Sequence, residues 1–161
     1  MSTPRIHAIH VKAETSGERG LPKTAVPEAR IERSGLLGDF NRYRHESCGD
    51  DPGQAVLLHS LELLAELAHE GWPVEPGHLG ENLLLCGIDY RALREGTRMR
   101  FGDVEIALTK PAEPCKILKR LPYALGARGT AFIQALVGRR GWYAQVLREG
   151  TVRVGDPVEV C

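Results

Sequence analysis

A short pattern that occurs twice constrains the fold more than any other feature of this sequence. Leu-Arg-Glu-Gly-Thr occupies residues 93–97 and again residues 147–151, and each copy leads to a Gly-Asp pair, at 102–103 and 155–156. Alternating apolar residues flank each Gly-Asp pair, which is typical of a strand, a tight turn and a returning strand. Two such hairpins predict a mostly β chain with an antiparallel, barrel-like sheet.

The rest of the chain adds a few helices to this sheet. Apolar alternation or short apolar runs predict further strands over residues 5–11, 29–33, 54–58, 83–86 and 142–147. A helix is predicted over 61–70, with Ser60 as its N-cap and Gly71 as its stop, and another over 130–137. Residues 35–53 form a long irregular stretch, which is either a functional loop or a mobile surface excursion.

Length, charge and cysteine usage exclude several classes of protein. The 161 residues suit one domain, and the absence of an apolar run of about 18–20 residues argues against a membrane span. The polar N-terminus resembles no signal peptide, so we expect a cytoplasmic protein. Zero formal net charge gives no bulk attraction to nucleic acid or membranes. The four cysteines form no C-x-x-C pair, so neither a disulfide framework nor a zinc site is expected.

Cys115 is the strongest candidate for chemistry. It follows Pro114 at the predicted start of a short basic helix, where unpaired backbone N–H groups and nearby cations favour a thiolate. Between residues 110 and 140 there are seven basic side chains against Glu113 alone, which suits an anionic ligand or a negatively charged partner. The alternatives are a buried thiol that acts as a small hydrophobe and a solvated basic helix face.

Glu81 and Asn82 form a second candidate feature. They stand between Gly80 and the apolar run that begins at Leu83, where they either brace a bend or point into a polar pocket. Cys86, within that run, is expected in the core. Cys161 is expected to be incidental, and Cys48 has no role that the sequence specifies.

Several short motifs together resemble the MOSC family, named for the C-terminal domain of molybdenum-cofactor sulfurases. They are Gly38-Asp39, Gln54-Ala55-Val56, Gly80-Glu81-Asn82-Leu83, Gly87-Ile88-Asp89, Leu93-Arg94-Glu95-Gly96, Gly102-Asp103 and Pro114-Cys115. The resemblance covers about residues 25–160, so residues 1–161 would form a single stand-alone domain. It implies a β-barrel core with short peripheral helices and one functional cysteine, which matches Cys115. The family often has a His after its Gly-Asp; here His45 is a displaced counterpart or the role is absent.

The resemblance implies two alternative activities. In the first, Cys115 ligates the molybdenum of a pterin cofactor, for reduction of N-hydroxylated or similar small substrates. The other residues that would bind this small anionic cofactor are Glu81, Asn82, Lys110, Lys116, Arg120, Asp39 and His45. Because the sequence has no ferredoxin-like cysteines, flavin-type loop or nicotinamide motif, electrons would come from a separate reductase partner. In the second activity, Cys115 carries a persulfide received from a pyridoxal-phosphate cysteine desulfurase. A third hypothesis is a non-catalytic binding module.

Overall fold

The computed structural model of the protein describes residues 3–13, 22–40, 45 and 48–161. The strands are β1 (Arg5–Val11), β2 (Thr24–Val26), β3 (Glu28–Glu32), β4 (Gly35–Leu36), β5 (Val56–Ser60), β6 (Leu83–Cys86), β7 (Arg98–Phe101), β8 (Val104–Pro111), β9 (Trp142–Arg148), β10 (Gly150–Arg153) and β11 (Glu159–Val160). The α-helices are α1 (Leu61–His69) and α2 (Arg128–Leu136), and 3₁₀ helices span Pro52–Gln54, Tyr90–Ala92, Lys116–Arg120 and Pro122–Ala124. The predicted fold class, mostly β with a few helices, is confirmed.

Eight strands form one curled sheet, in the order β11-β7-β8-β9-β5-β6-β1-β2, and three form a smaller sheet, β10-β3-β4. Only β5 and β6 run parallel among these strands, and α1 lies in the connection between them. The segment before β11 hydrogen-bonds to β1: Ile6 N donates to Asp156 O, and Gly155 N donates to Ile6 O. Because β11 is the edge strand at one end of the large sheet and β1 is the second strand from the other end, this segment closes the sheet into a barrel-like structure.

Alternation along β6 separates two apolar cores. Leu83 and Leu85 point into the main core, with Phe101, Ile106 and other strand residues. Leu84, between them, faces the opposite side. There it packs in a second cluster with side chains from both helices and from the 3₁₀ helix Lys116–Arg120: Leu64, Leu67, Leu118, Phe132 and Leu136. The helices therefore cover the outside of the sheet, and Leu118 anchors the segment that follows Cys115.

The helices match their sequence patterns closely. Ser60 caps α1 as predicted, because its Oγ accepts a hydrogen bond from Leu63 N at 3.3 Å. The second helix begins two residues before the predicted start and ends at Leu136. Among the described residues, no helix has both the length and the apolar character needed to cross a membrane.

One of the two predicted hairpins is confirmed and the other is wrong. Strands β7 and β8 pair across Gly102-Asp103 as expected. Strands β10 and β11 do not pair across Gly155-Asp156; β10 joins β3 in the small sheet, and β11 joins β7. Pro157 lies in the returning segment and has no N–H to donate to a strand ladder, which favours separation of the two strands.

Candidate functional site

Six polar or charged residues from separate segments are buried together beside the barrel. Asp39, whose side chain is 7% exposed, follows β4; Glu81 and Asn82 precede β6, and Arg140 precedes β9. His10 of β1 and Lys23, just before β2, complete the group. We call these six residues the buried polar cluster. Polar groups removed from water are costly unless they find partners, so the hydrogen bonds of each member indicate its role.

Asn82 joins the elements of the cluster. Its side-chain Nδ2 donates to His10 O at 3.2 Å and to Asp39 Oδ2 at 2.9 Å, while Oδ1 accepts from Leu57 N at 3.1 Å. Its backbone also pairs with Leu57 and His10. This Asn therefore holds β1, β5 and the Asp39 loop together. The structure brings the predicted residues Asp39 and Asn82 into direct contact, and the side-chain amide of Asn82 is occupied by protein groups.

Lys23 and Asp39 form a buried ion pair. Lys23 Nζ lies 2.8 Å from Asp39 Oδ2, and Asp39 Oδ1 accepts from Lys12 N at 2.9 Å. Burial lowers the pKa of Lys23, and the adjacent carboxylate of Asp39 opposes that shift. The positive charge of Lys23 is thus balanced within the protein.

Glu81 is fully buried, with one oxygen paired and one unpaired. Its Oε1 accepts a hydrogen bond from Gly77 N, whereas Oε2 has no partner. Burial raises the pKa of Glu81 to about 7, against the opposing effects of the backbone N–H groups of Gly77 and of Glu81 itself and the charges of Arg140 and Lys23. The side chain is therefore poised to exchange a proton near neutral pH.

Arg140 is the unbalanced cation of the cluster. Its side chain is buried, the residue is 6% exposed, and its Nε and Nη1 atoms have no hydrogen-bond partner. The pKa shifts of Lys23, His59 and Glu81 are caused mainly by burial, and the charge of Arg140 is a smaller cause of each. The guanidinium therefore lies near these three side chains. A buried guanidinium with unused donors suits an anionic ligand.

The turn that carries Arg140 is held on both sides. His59 Nε2 lies 2.6 Å from Arg139 O, and Tyr90 Oη accepts from Gly141 N at 3.1 Å. Gly141 has φ +119°, and a Cβ there would lie 2.7 Å from Leu58 O, so the turn requires glycine. The position of Arg140 is consequently fixed by the backbone.

Cys115 is exposed, so the alternative of a buried hydrophobic thiol is wrong. The predicted short basic helix is present as the five-residue 3₁₀ helix Lys116–Arg120, but it begins one residue later than expected: Cys115 is its N-cap and has an extended backbone, at φ −121° and ψ 162°. Ala112 N donates to Gly141 O at 2.8 Å, so the chain leading to Cys115 runs alongside the Arg140 turn. Cys115 is three positions after Ala112, which limits their Cα separation to about 11 Å.

The other predicted site residues lie outside the buried polar cluster. Lys110 is exposed with Nζ 6.0 Å from the Tyr143 ring centroid, and Lys116 and Arg120 are exposed on the 3₁₀ helix. His45 is exposed, with Nδ1 3.0 Å from Asp50 Oδ2. Cys86 is buried as expected. Within the part of the chain that the structure describes, no group of three His, Cys, Asp or Glu side chains is placed to hold a metal ion.

Sequence reasoning missed three members of the cluster: His10, Lys23 and Arg140. His10 lies within the predicted strand 5–11, and Arg140 lies at the end of the basic segment 110–140. Lys23 stands alone in a loop and gives no periodic signal. The excess of basic residues before β9 indicates an anion site in this region. It does not distinguish the buried Arg140 from the exposed lysines of the same segment.

The fold is a mixed sheet closed into a barrel-like structure, with helices outside and an exposed cysteine, Cys115, in the segment that directly follows β8. The sequence model of the MOSC domain matches residues 41–159, and the chain belongs to the MOSC domain family. No curated protein matches the sequence.

Solved structures with the same fold come from three bacteria. The YuaD protein from Bacillus subtilis is 22% identical, with a TM-score of 0.80, and the match covers 99% of this chain and 96% of that one. YiiM from Escherichia coli is 24% identical, with a TM-score of 0.68 and coverage of 98% and 69%. YiiM from Geobacillus stearothermophilus is 22% identical, with a TM-score of 0.73 and coverage of 98% and 75%. At these identities the likeness concerns the fold.

Proposed function

We propose that this protein binds a molybdenum-pterin cofactor, with the Cys115 thiolate as its ligand to the metal. The observation that carries the proposal is the unpaired, buried Arg140 guanidinium in a turn hydrogen-bonded to the segment that leads to Cys115. Thiolates are preferred ligands of soft metals, and a guanidinium with free donors suits the phosphate of the pterin. The cofactor brings sulfur ligands of its own, so one protein thiolate suffices.

The protein's own residues then have separate tasks. Arg140 neutralises the anionic group, and Glu81 offers Oε2 as a further hydrogen-bonding atom. Asn82 and the Lys23–Asp39 pair hold the surrounding segments in place, which makes them positioning residues. Lys110, Lys116 and Arg120, being exposed, suit attraction of an anion toward the site rather than its final binding.

The bound cofactor would supply a two-electron redox centre for reduction of N-hydroxylated or similar small substrates. Removal of the hydroxyl oxygen as water takes two electrons and two protons, with the electrons supplied by a separate electron-transfer partner. The exposed position of Cys115 leaves room for such a partner and for the substrate.

Metal and pterin analysis of freshly isolated protein tests the proposal. Protein made in a host that synthesises the cofactor, and purified anaerobically, is expected to carry molybdenum and pterin in stoichiometric amounts. Cys115→Ser should lose the metal, and Arg140→Met should lose most of both components. Cys161→Ser, which changes another exposed cysteine, is the matched control and should retain them. Stoichiometric molybdenum in Cys115→Ser, or wild-type protein that neither contains nor takes up the cofactor, would overturn it.

Sulfur transfer is a second candidate function, favoured by the exposure of the Cys115 thiol. A surface thiolate can attack the persulfide of a cysteine desulfurase and take over its outer sulfur, which releases the donor's cysteine as a thiolate. Incubation with a desulfurase and free cysteine should add one sulfur to the Cys115 peptide, detected by mass spectrometry. The Cys161 peptide is the internal control. An unmodified Cys115 peptide would exclude this function.

A further inference from the structure

Two side chains of the buried polar cluster, Glu81 and Arg140, have hydrogen-bonding atoms that the protein leaves unused, and they lie close enough for the charge of Arg140 to lower the pKa of Glu81. These atoms are Oε2 of Glu81 and both Nε and Nη1 of Arg140. Glu81 is 0% exposed and Arg140 6%, and no ion pair joins them among the described residues. Because buried polar groups are nearly always paired, this arrangement indicates a site for a ligand that contacts both side chains.

The charge of the site indicates the kind of ligand. Asp39 balances Lys23, so the uncompensated positive charge is that of Arg140. An oxyanion would satisfy Arg140, but it would lie beside the carboxyl group of Glu81. Two negative charges in one buried space repel each other strongly, so Glu81 cannot remain ionised next to a bound anion.

A proton on Glu81 removes this conflict. Because Oε1 already accepts from Gly77 N, the proton belongs on Oε2, where the carboxyl becomes a donor toward the same anion. We propose that this site binds an oxyanion group between the Arg140 guanidinium and a protonated Glu81 Oε2, so that the anion and one proton bind together. This inference rests on the proposed function, in which the anionic group is the phosphate of the cofactor.

The neighbouring titratable groups leave Glu81 as the proton acceptor. Burial raises its pKa to about 7, and neutralisation of Arg140 by an anion would raise that pKa further. Burial lowers the pKa of His10 to about 4 and raises the pKa of Tyr123, so both stay neutral around pH 7. Lys23 remains paired with Asp39.

The affinity of the site for an anion is expected to fall at high pH. Below about pH 7 the ligand-free carboxyl already carries its proton, so the anion affinity is constant. Above that pH each anion must bring a proton with it, and the affinity falls by up to about tenfold per pH unit.

Inorganic sulfate is a suitable probe, because it does not titrate between pH 5.5 and 8.5. Its affinity for the purified protein is measured by calorimetry at constant ionic strength, in buffers of different ionisation enthalpy, which gives the number of protons taken up. We expect uptake approaching one proton at pH 8.5 and none at pH 5.5. Arg140→Met should abolish binding.

Glu81→Gln separates proton uptake from anion binding. A glutamine amide can donate at the position of Oε2 without a proton from solution, so this variant should bind sulfate with no pH dependence. At pH 8.5 it should bind about tenfold or more tightly than the wild type. Glu75→Gln, in the same loop but exposed, is the matched control and should behave as the wild type.

Three results would overturn the inference. They are proton uptake that persists in Glu81→Gln, pH-independent binding by the wild type, and no sulfate binding at all. If Glu81→Gln does not fold, the wild-type proton count alone decides. Sulfate binding with proton uptake in a protein that never takes up molybdenum would reject the proposed cofactor but support the oxyanion site. Cofactor binding without proton uptake would support the proposed function but reject the proton-linked oxyanion site.

Discussion

Lys23 and Asp39 form an ion pair of 2.8 Å whose side chains are only 4% and 7% exposed. Removal of one partner from a buried pair leaves an uncompensated charge, so we expect Asp39→Ala to lower the free energy of unfolding by about 3–5 kcal/mol. Replacement of both residues, Lys23→Met with Asp39→Leu, should recover part of this loss. Urea denaturation of Asp39→Leu, Lys23→Met and the double variant measures the coupling.

The exposed pair Arg153–Glu28 provides the control for that cycle. Its atoms approach to 3.0 Å, but both side chains are more than half exposed. Glu28→Gln should therefore change the free energy of unfolding by less than about 1 kcal/mol. An equally small effect of Asp39→Ala would contradict a structural role for the buried pair.

Glu81 makes the protein less stable as the pH rises. Its folded pKa of about 7 lies above the ordinary value of 4.5, so the folded protein binds the proton more tightly than the unfolded chain does. The resulting stabilisation is complete below pH 4.5 and is lost as the pH rises to 7, a change of about 3 kcal/mol. Glu81→Gln should remove this dependence. Equal pH profiles for variant and wild type in urea denaturation would show that Glu81 titrates normally.

His59 acts in the opposite direction. Burial lowers its pKa to about 4, with a further lowering by the charge of Arg140, while its bonds to Arg139 and Ser60 oppose the shift. A depressed folded pKa gives stability that is present above pH 6.5 and lost as the pH falls to 4, again about 3 kcal/mol. His59→Gln should therefore flatten the acid side of the stability profile. Glu81→Gln, in turn, should make the acid side steeper, since the two shifts act over overlapping pH ranges. If His59→Gln loses stability at low pH as steeply as the wild type, groups other than His59 cause that loss.

Gly77 places the loop that supports Glu81, and it tolerates no side chain. Its φ is +89°, and an added Cβ would lie 2.5 Å from Lys23 O and 3.2 Å from the His10 ring. Gly96 has a similar φ of +85° with nothing within 4 Å, so Gly96→Ala measures the backbone strain alone, about 1–2 kcal/mol. We expect Gly77→Ala to cost more than Gly96→Ala in thermal or urea unfolding. Equal costs would mean that the loop shifts freely away from Lys23.

Local sequence patterns predict much of the fold. The hairpin β7–β8 and the capped helix α1 depend on contacts close in sequence, so propensity and periodicity are enough to predict them. The apolar run of β6 predicts a strand, although its partners β1 and β5 are distant in sequence. The pairing of β10 with β3 and of β11 with β7 depends on distant partners, which the repeated pattern at 147–156 could not reveal. Proline at 157 was the local warning that this second unit is not a hairpin.

The candidate site was less predictable for the same reason. Short motifs predict Cys115, Glu81, Asn82 and Asp39 as site residues, whereas Lys23 and Arg140 reach the cluster only through tertiary structure. A charged residue in a loop is usually solvated, and burial of such a residue depends on segments far away in sequence. The exposed residues Lys116 and Arg120 lie nearer to Cys115 in sequence than Arg140 does. Closeness in sequence therefore does not predict which cation is buried at the site.

Selective alkylation distinguishes the four cysteines by their surroundings. Cys115 and Cys161 are exposed, Cys48 is partly buried with Sγ 3.6 Å from Gln54 Nε2, and Cys86 is buried beside Arg5 O. Because alkylation needs access to the sulfur, iodoacetamide should label Cys115 and Cys161 first in ligand-free protein, and Cys86 only after denaturation. Peptide mass spectrometry over a time course gives the order. If the protein carries the proposed cofactor, Cys115 alone should become protected while Cys161 still reacts. Slow labelling of Cys115 in protein shown to be free of metal would contradict its position on the surface.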